Sequence, residues 1–327
     1  MSNHNSGSDG SCLICACPDW SLVVRSEDVE YQCKPGPFDL VACAKCQHTY
    51  VHPLPPYEEI GSIYPNTYYT VNKKSPLWLD GWVYEKKLAL DAKNLRNSLR
   101  EFDIRSIVDV GSGEVSRLAH FRDAFGSEVE AIAFDLQFSD SIRADAETYK
   151  IKLVNGNVET DVAQLRDNGH DLIIMRQLIE HLRDPRLAVK NLARKLAPGG
   201  LMIIDTPNRG GLDYRLFRKQ HWGGYHVPRH FHLFTQQSLV QVIEDAGLTI
   251  QRKGFLPSMG FWILSLRNKL GLNSIAAGSS FWEFLRYKNL LVTGSFIAFD
   301  TLRIKLGFET SNQFVFAQKP PRADQKA

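Results

Sequence analysis

Short apolar runs recur through the middle of this 327-residue chain, and segments with helical spacing separate them. Ile104 to Val110 is the first run and is rich in β-branched residues, as expected of a strand covered on both faces. Strand and helix then alternate to about residue 250. This alternation predicts an α/β protein with a doubly wound parallel sheet.

Two further segments flank this region. Apolar positions at helical spacing over 77–99 predict a helix before the first strand. Strand-like residues 248–255 and 313–318 are separated by roughly 55 residues, whereas hairpin loops have about 2–5. The intervening insertion, at about 257–310, has three uncharged stretches, all shorter than the roughly 20 residues of a membrane-spanning helix. We expect helices that form a lid or a homodimer contact, with peripheral membrane contact as the alternative.

Polar residues stand where the predicted strands end. Gly111 and Gly113 allow a sharp turn into a helix, whose free N–H groups can bind a polar ligand. Asp135 ends the next strand, where a carboxylate can accept both hydroxyls of a ribose. Ligands bind at this edge of such a sheet. The candidate cofactor-binding residues there are Asp109, Gly111, Ser112, Gly113, Asp135, Leu136, Asn157, Val158, Met175 and Arg176.

These spaced motifs resemble class I S-adenosylmethionine (SAM) methyltransferases. The resemblance implies a seven-stranded Rossmann-like sheet whose last two strands are antiparallel. It also implies that backbone at Asn157 and Val158 pairs with adenine, and that carbonyls near Met175 and Arg176 hold the methionine amino group. Val115 departs from the family pattern, which usually has a third glycine there. It is either tolerated in a slightly wider turn or weakens SAM binding.

A nicotinamide dinucleotide site is the competing interpretation of the glycine turn. Its fingerprint requires Gly or Ala at the position of Ser116, and it must cradle a pyrophosphate. SAM has no phosphate, so the sequence favours SAM as the cofactor.

Composition and charge narrow the class of protein. Hydrophobic residues make up 43% and charged residues 23%, as in an ordinary globular protein. The net charge of +3 gives no electrostatic reason to expect nucleic acid. The N-terminal residues lack the apolar core of a signal peptide, so we expect a cytoplasmic protein, peripheral to the inner face of the membrane if the insertion contacts lipid.

Two C-x2-C pairs, Cys12/Cys15 and Cys43/Cys46, suit a tetrahedral structural Zn²⁺ ion. In a reducing compartment such pairs are better interpreted as metal ligands than as disulfides. Cys17 could replace Cys15. The residues from Cys12 to about position 69 are similar to the N-terminal zinc-binding module of some sugar and natural-product methyltransferases. His48 and His52 could also be ligands, but four cysteines saturate zinc, so we expect both histidines to be surface residues.

We therefore expect a disordered tail at 1–11, a zinc-binding module at 12–60 and a helical linker or lid at 61–100. The methyltransferase domain would follow at 101–320 and a second tail at 321–327.

Glu180 and His181 follow the strand that begins near His170. In zinc-containing deoxysugar C-methyltransferases, which this segment resembles, a Glu-His pair lies close to the transferred methyl. Methyl transfer needs positioning and removal of one proton, and imidazole suits the second task. We expect His181 to act as the base with Glu180 orienting it. The alternative is a pair that only packs and caps a helix start.

Residues 221–232 contain four of the ten histidines. His230 is a second candidate base or orienting residue, and a structural hydrogen-bonding role is the alternative. A metal site in this loop is not expected, because no carboxylate stands at ligand spacing within it.

The sequence thus predicts a SAM-dependent methyltransferase acting on a small molecule such as a sugar, a glycan precursor or another natural-product intermediate. Zinc-type sugar C-methyltransferases carry a further C-terminal domain that this sequence lacks, which leaves O-methylation open. The alternatives are a non-catalytic SAM-fold scaffold and a membrane-surface enzyme with a lipid-linked acceptor. A nucleic-acid binder is rejected because the cysteine-bearing region has only Arg25, Lys34 and Lys45 as basic residues.

Overall fold

The computed structural model describes residues 11–64, 78–271 and 289–322. Most of the two expected tails, part of the linker (65–77) and part of the insertion (272–288) lie outside the described residues. The strands are β1 (Trp20–Glu27), β2 (Pro37–Cys43), β3 (Thr49–His52), β4 (Ser106–Val110), β5 (Glu130–Asp135), β6 (Lys152–Asn155), β7 (His170–Arg176), β8 (Leu196–Pro207), β9 (His232–Leu233), β10 (Thr249–Leu256) and β11 (Asn312–Gln318). The helices are α1 (Tyr57–Ile60), α2 (Trp78–Ser98), α3 (Ser116–Phe125), α4 (Asp140–Tyr149), α5 (Pro185–Lys195), α6 (Leu212–Phe217), α7 (Gln236–Asp245), α8 (Met259–Lys269) and α9 (Leu290–Lys305).

Seven strands form the main sheet in the order β10-β11-β8-β7-β4-β5-β6. Strands β4 to β8 run parallel, and β11 is antiparallel to both β8 and β10. This order confirms the predicted Rossmann-like methyltransferase sheet. The antiparallel pair at its edge is the one expected from the two last apolar runs.

Helices cover both faces of this sheet. Alternate residues of β4 point to opposite sides, so that Ile107 packs in the cluster with α2, α3 and α4, and Val108 packs in the cluster with α5 and α7. Both clusters are fully buried. The continuous apolar character of the parallel strands follows from this double coverage.

The glycine turn after β4 has the backbone that its composition predicted. Gly111 has a φ of +68° and Gly113 a φ of +59°, a left-handed conformation that favours glycine. Helix α3 begins directly afterwards, at Ser116. Val115 is only 2% exposed and packs in the apolar cluster with Leu118 of α3. Its side chain therefore contributes to the core, as the tolerated-variant interpretation requires.

The N-terminal module is continuous with the main domain. Cys12, Cys43 and Tyr50 belong to the same buried cluster as Val108 of the central strand. Its antiparallel sheet has the order β1-β2-β3-β9, so the fourth strand comes from residues 232–233 of the methyltransferase chain. The module was expected to end at residue 60, but its sheet also includes residues 232–233.

The prediction that His48 lies on the surface is wrong. Its side chain is 1% exposed, and Nε2 lies 3.0 Å from Nδ1 of His232 on the paired strand β9. Burial follows from the pairing of β3 with β9, which the local sequence does not indicate.

The insertion contains helices, as expected. Helices α8 and α9 pack through a stacked pair, Trp262 and Phe296, with ring centroids 5.5 Å apart. Within the described ranges, every helix is too short or too polar to cross a bilayer.

Candidate functional site

The carboxylate of Asp135 joins the end of β5 to the glycine turn. Its Oδ2 accepts a hydrogen bond from the Gly113 N–H at 3.0 Å, and its Oδ1 accepts one from the Leu136 N–H at 2.7 Å. Burial raises the pKa of this carboxyl above its ordinary value, and the two N–H groups act against that rise. Asp135 is thus fixed at the position where a ribose is bound in folds of this kind.

Asp109 lies in β4, two residues before Gly111, and is buried. Burial raises its pKa to about 7, although the nearby charges of Arg117 and Arg176 oppose the rise. Arg176 donates from Nε to Asp205 Oδ2 at 2.7 Å. The Ser112 hydroxyl is buried and has no hydrogen-bond partner among the described residues. An unsatisfied hydroxyl in a glycine turn fits a site that awaits a polar ligand.

The other predicted cofactor residues lie at the ends of the neighbouring strands. Asn157 shapes its own turn, because its side-chain oxygen accepts from the Glu159 N–H at 2.8 Å. Val158 is buried, whereas Leu136 is 64% exposed beyond β5. Met175 is buried at the end of β7. These positions allow the main chain at Val158 to contact an adenine and the carboxylate of Asp135 to contact a ribose. The polar groups at this edge therefore fit SAM.

His181 lies beyond β7 in a short 3-10 turn (Ile179–His181). Its Nδ1 is 3.0 Å from the Arg229 carbonyl oxygen and 3.1 Å from the Tyr64 hydroxyl. Because a carbonyl only accepts, Nδ1 carries the proton and Nε2 carries the free electron pair. The orienting contact that we expected from Glu180 is made by the Arg229 carbonyl instead. Glu180 accepts from the Thr206 hydroxyl at 2.8 Å.

His230 reaches the same place from the loop before β9. The Phe231 N–H donates to the Glu180 carbonyl at 2.8 Å, which holds this loop against the 3-10 turn. The His181 and His230 ring centroids are 4.7 Å apart. A ligand-type atom of each of Glu180, His181 and His230 lies within 4.8 Å of the others. The structure thus brings together the three residues singled out for catalysis, which we call the acceptor cluster.

Burial sets the protonation of the acceptor cluster. It raises the pKa of Glu180 to about 8. It lowers the pKa of His181 to about 3, with a further contribution from His226, and that of His230 well below its ordinary value. Both imidazoles are therefore neutral near pH 7 in this arrangement.

The segment that leads into the acceptor cluster packs against the glycine turn. A Cβ placed on Gly111 would lie 2.8 Å from Cδ2 of Leu178, which precedes Glu180 by two residues. The cofactor edge and the acceptor cluster are therefore adjacent parts of one site.

A buried ion pair, missed from sequence, supports this site. Arg229 has no exposed surface, and it donates to both oxygens of Asp28 at 2.6 and 3.2 Å and to the Ile63 carbonyl at 3.0 Å. Asp28 belongs to the N-terminal module, so the residue whose carbonyl orients His181 is itself held by the module. The two residues are 201 positions apart, and no local signal pairs them.

The four cysteines predicted to bind metal are brought together. The Cys12 and Cys46 sulfurs are 3.6 Å apart, and the Cys15 and Cys43 sulfurs are 3.4 Å apart. Zn–S bonds of about 2.3 Å in a tetrahedral site would place sulfurs roughly 3.8 Å from one another. Cys17 is not part of this group. The cluster is compatible with zinc.

Comparison with known proteins agrees with this geometry. A family model described as a methyltransferase domain matches residues 84–253, just over half of the chain. The ubiquinone biosynthesis O-methyltransferase of Bartonella tribocorum is 24% identical over 192 residues, which cover 50% of this chain and 71% of the relative. That of Cereibacter sphaeroides is 31% identical over 115 residues, covering 33% of this chain and 46% of the relative.

A solved structure of a SAM-dependent methyltransferase from Archaeoglobus fulgidus is 18% identical, with a TM-score of 0.45 over 73% of this chain and 99% of that one. The family match covers the glycine turn, Asp135 and the acceptor residues Glu180 and His181. The chain belongs to the methyltransferase domain family and is a SAM-dependent methyltransferase.

Proposed function

We propose that this protein transfers a methyl group from SAM to a hydroxyl oxygen of a small-molecule acceptor. The observation that carries the proposal is the acceptor cluster, which lies against the glycine turn at the carboxyl edge of the sheet. The cluster presents two imidazoles that are neutral near pH 7, because burial lowers the pKa of both. A neutral imidazole has a free ring nitrogen that can accept the proton of an acceptor hydroxyl.

When bound, SAM would supply a methyl group carried on a positively charged sulfur. The acceptor oxygen would attack the methyl carbon, and the electron pair of the broken carbon–sulfur bond would remain on sulfur. Asp135 would hold the ribose hydroxyls and the glycine turn would admit the methionine arm. With nothing else bound in the acceptor cluster, Nε2 of His181 would take the hydroxyl proton. His230 and Glu180 would line the same pocket and exclude water.

Oxygen is favoured as the receiving atom because both relatives named above are O-methyltransferases of ubiquinone biosynthesis. A hydroxyl-bearing small molecule is the acceptor class common to these names and to the sugar and natural-product precursors that the sequence resemblance implies.

We also propose that Cys12, Cys15, Cys43 and Cys46 bind a structural Zn²⁺ ion. Their approach to tetrahedral spacing supports this, as does the N–H of Cys46, which donates to the Cys43 sulfur at 3.5 Å. Bound zinc would fix the end of the module that packs into the main core.

Calorimetric titration with SAM tests the cofactor part of the proposal. Asp135→Ala removes the carboxylate that would accept the ribose hydroxyls, so we expect affinity to fall by about 10–100-fold, as for loss of charged hydrogen bonds worth roughly 1.5–3 kcal/mol. Asp103→Ala is the matched control, because Asp103 is exposed and pairs with the exposed Arg105. Absence of SAM binding by the wild-type protein would overturn the proposal.

A further inference from the structure

The acceptor cluster supplies the carboxylate that the histidine loop lacks in the sequence. Glu180 is 50 positions before His230, yet the two side chains and His181 meet within 4.8 Å. The meeting depends on the hydrogen bond from the Phe231 N–H to the Glu180 carbonyl. Two imidazoles and one carboxylate are therefore assembled by the tertiary fold, in a combination that the loop sequence argued against.

Each of these three side chains is held by a hydrogen bond on the side away from its free electron pair. His181 Nδ1 donates to the Arg229 carbonyl at 3.0 Å, and His230 Nδ1 donates to the Gly224 carbonyl at 2.9 Å. Glu180 Oε2 accepts from the Thr206 hydroxyl at 2.8 Å. Metal-ligating histidines in proteins are held in this manner, with the other ring N–H on a backbone carbonyl.

The free atoms of the acceptor cluster have no protein partner in the described part of the chain. Glu180 is completely buried, and its Oε1 has no hydrogen-bond donor there. No described residue donates to Nε2 of His181 or His230. The adjacent His226 is engaged elsewhere, since Nδ1 lies 2.5 Å from Glu30 Oε2 and Nε2 accepts from Arg229 Nε at 3.2 Å. Three electron-pair donors without an opposing donor can be satisfied by a shared proton or by a metal cation between them.

We propose that Glu180, His181 and His230 bind a divalent cation. Two imidazole nitrogens and one carboxylate oxygen select first-row transition ions such as Zn²⁺, Mn²⁺, Fe²⁺ or Co²⁺ rather than Mg²⁺ or Ca²⁺, which prefer oxygen ligands throughout. Three protein ligands leave further coordination positions open.

A catalytic role for the cation rests on the proposed transfer of a methyl group to a hydroxyl. An acceptor hydroxyl bound to the cation would lose its proton to solvent more readily, because the ion stabilises the oxygen anion. His181 would then serve as a ligand, and the cation would take over activation of the hydroxyl. An acceptor with two adjacent oxygen atoms, such as a vicinal diol or a hydroxyl beside a carbonyl, could occupy two open positions.

Titration with Mn²⁺, followed by electron paramagnetic resonance, tests the site. The full chain is first loaded with one equivalent of Zn²⁺, because thiolates favour zinc and leave the nitrogen and oxygen site for Mn²⁺. We expect one saturable Mn²⁺ site per chain. Glu180→Gln keeps the shape of the side chain, and His230→Ala removes an imidazole. Each should weaken Mn²⁺ binding by more than the roughly 10–100-fold that loss of an outer hydrogen bond costs. His221→Ala, in the same loop but outside the cluster, should bind Mn²⁺ as the wild type does.

A SAM titration of every sample separates this inference from the proposed function and shows that each variant is folded. Saturable Mn²⁺ binding that is lost in Glu180→Gln supports the site, even where SAM does not bind. Normal SAM binding without saturable Mn²⁺ binding would overturn it and leave the cluster filled by a proton alone. Mn²⁺ binding that persists in both Glu180→Gln and His230→Ala would also overturn it, because the ion would then lie elsewhere.

Discussion

The cysteine cluster and the acceptor cluster are two buried groups of ligand-type side chains with very different origins. The cysteines come from two tight turns of one small module, and their sulfurs lie as close as 3.4 Å. The acceptor cluster combines a turn after β7 with a loop some 50 positions later. The first group is encoded by local spacing, whereas the second exists only in the folded chain.

The acceptor cluster is also linked structurally to the module that carries the cysteines. Strand β9, which begins two residues after His230, forms the fourth strand of the cysteine module's sheet. Asp28 of that module holds Arg229, whose carbonyl orients His181. The module is therefore part of the support of the acceptor site.

The largest expected effect is a loss of stability when one of the four clustered cysteines is replaced. Structural zinc contributes apparent free energies of about 10–16 kcal/mol in small modules, more than most domains have in total. Cys43→Ser should therefore prevent the module from reaching its folded state and loosen the loop around His230. Thermal unfolding and zinc content measure this, with Cys17→Ser as the control because Cys17 lies outside the cluster. An unchanged unfolding temperature in Cys43→Ser would contradict the structural role of the metal.

The next largest expected effect is a loss of stability when the Asp28–Arg229 ion pair, which joins the two regions, is broken. Arg229→Met leaves the buried Asp28 carboxylate without its partner, so we expect a loss of about 3–5 kcal/mol of unfolding free energy. Arg25→Met is the matched control, since Arg25 makes a similar pair with Asp39 but is 61% exposed. That control should lose much less unfolding free energy, because an exposed ion pair is screened by solvent. Equal losses in chemical denaturation would show that the Asp28–Arg229 pair has no special role.

A smaller effect isolates the carboxylate of the acceptor cluster. Thr206→Val removes the hydroxyl that donates to Glu180 while keeping a β-branched side chain in β8. We expect Mn²⁺ affinity to fall by about 10–100-fold and SAM affinity to stay the same. Thr148→Val on the exposed face of α4 should change neither quantity. Loss of SAM binding in Thr206→Val would mean that this residue acts on the cofactor edge.

The smallest effect is expected at Val115. Because its side chain is buried in the core, Val115→Ala should cost packing energy, on the order of 1–2 kcal/mol. SAM affinity should change by less than about threefold, or roughly 0.7 kcal/mol. A marked gain in SAM affinity would show that the valine obstructs the cofactor after all.

The features that sequence predicts well are those that depend on a few neighbouring residues. Gly111 and Gly113 need a left-handed backbone, Asp135 ends an apolar run, and the cysteine pairs have the spacing of metal knuckles. Each of these is set by local chemistry and by the rule that parallel strands end at one edge.

The features that were missed arise from contacts between distant segments. His48 is buried because β9 pairs with β3, and Arg229 meets Asp28 across 201 positions. The carboxylate missing from the histidine loop comes from Glu180, whose turn is joined to that loop by hydrogen bonds of Phe231 and His181. No periodicity or spacing in the sequence encodes such pairings.

The most direct test of the central claim is transfer of an isotope-labelled methyl group from SAM to small molecules of a cell extract. We expect the wild-type protein to produce a labelled O-methyl product, and His181→Ala to produce far less while still binding SAM. Failure of the wild-type protein to transfer label from bound SAM, or equal transfer by His181→Ala, would contradict the account.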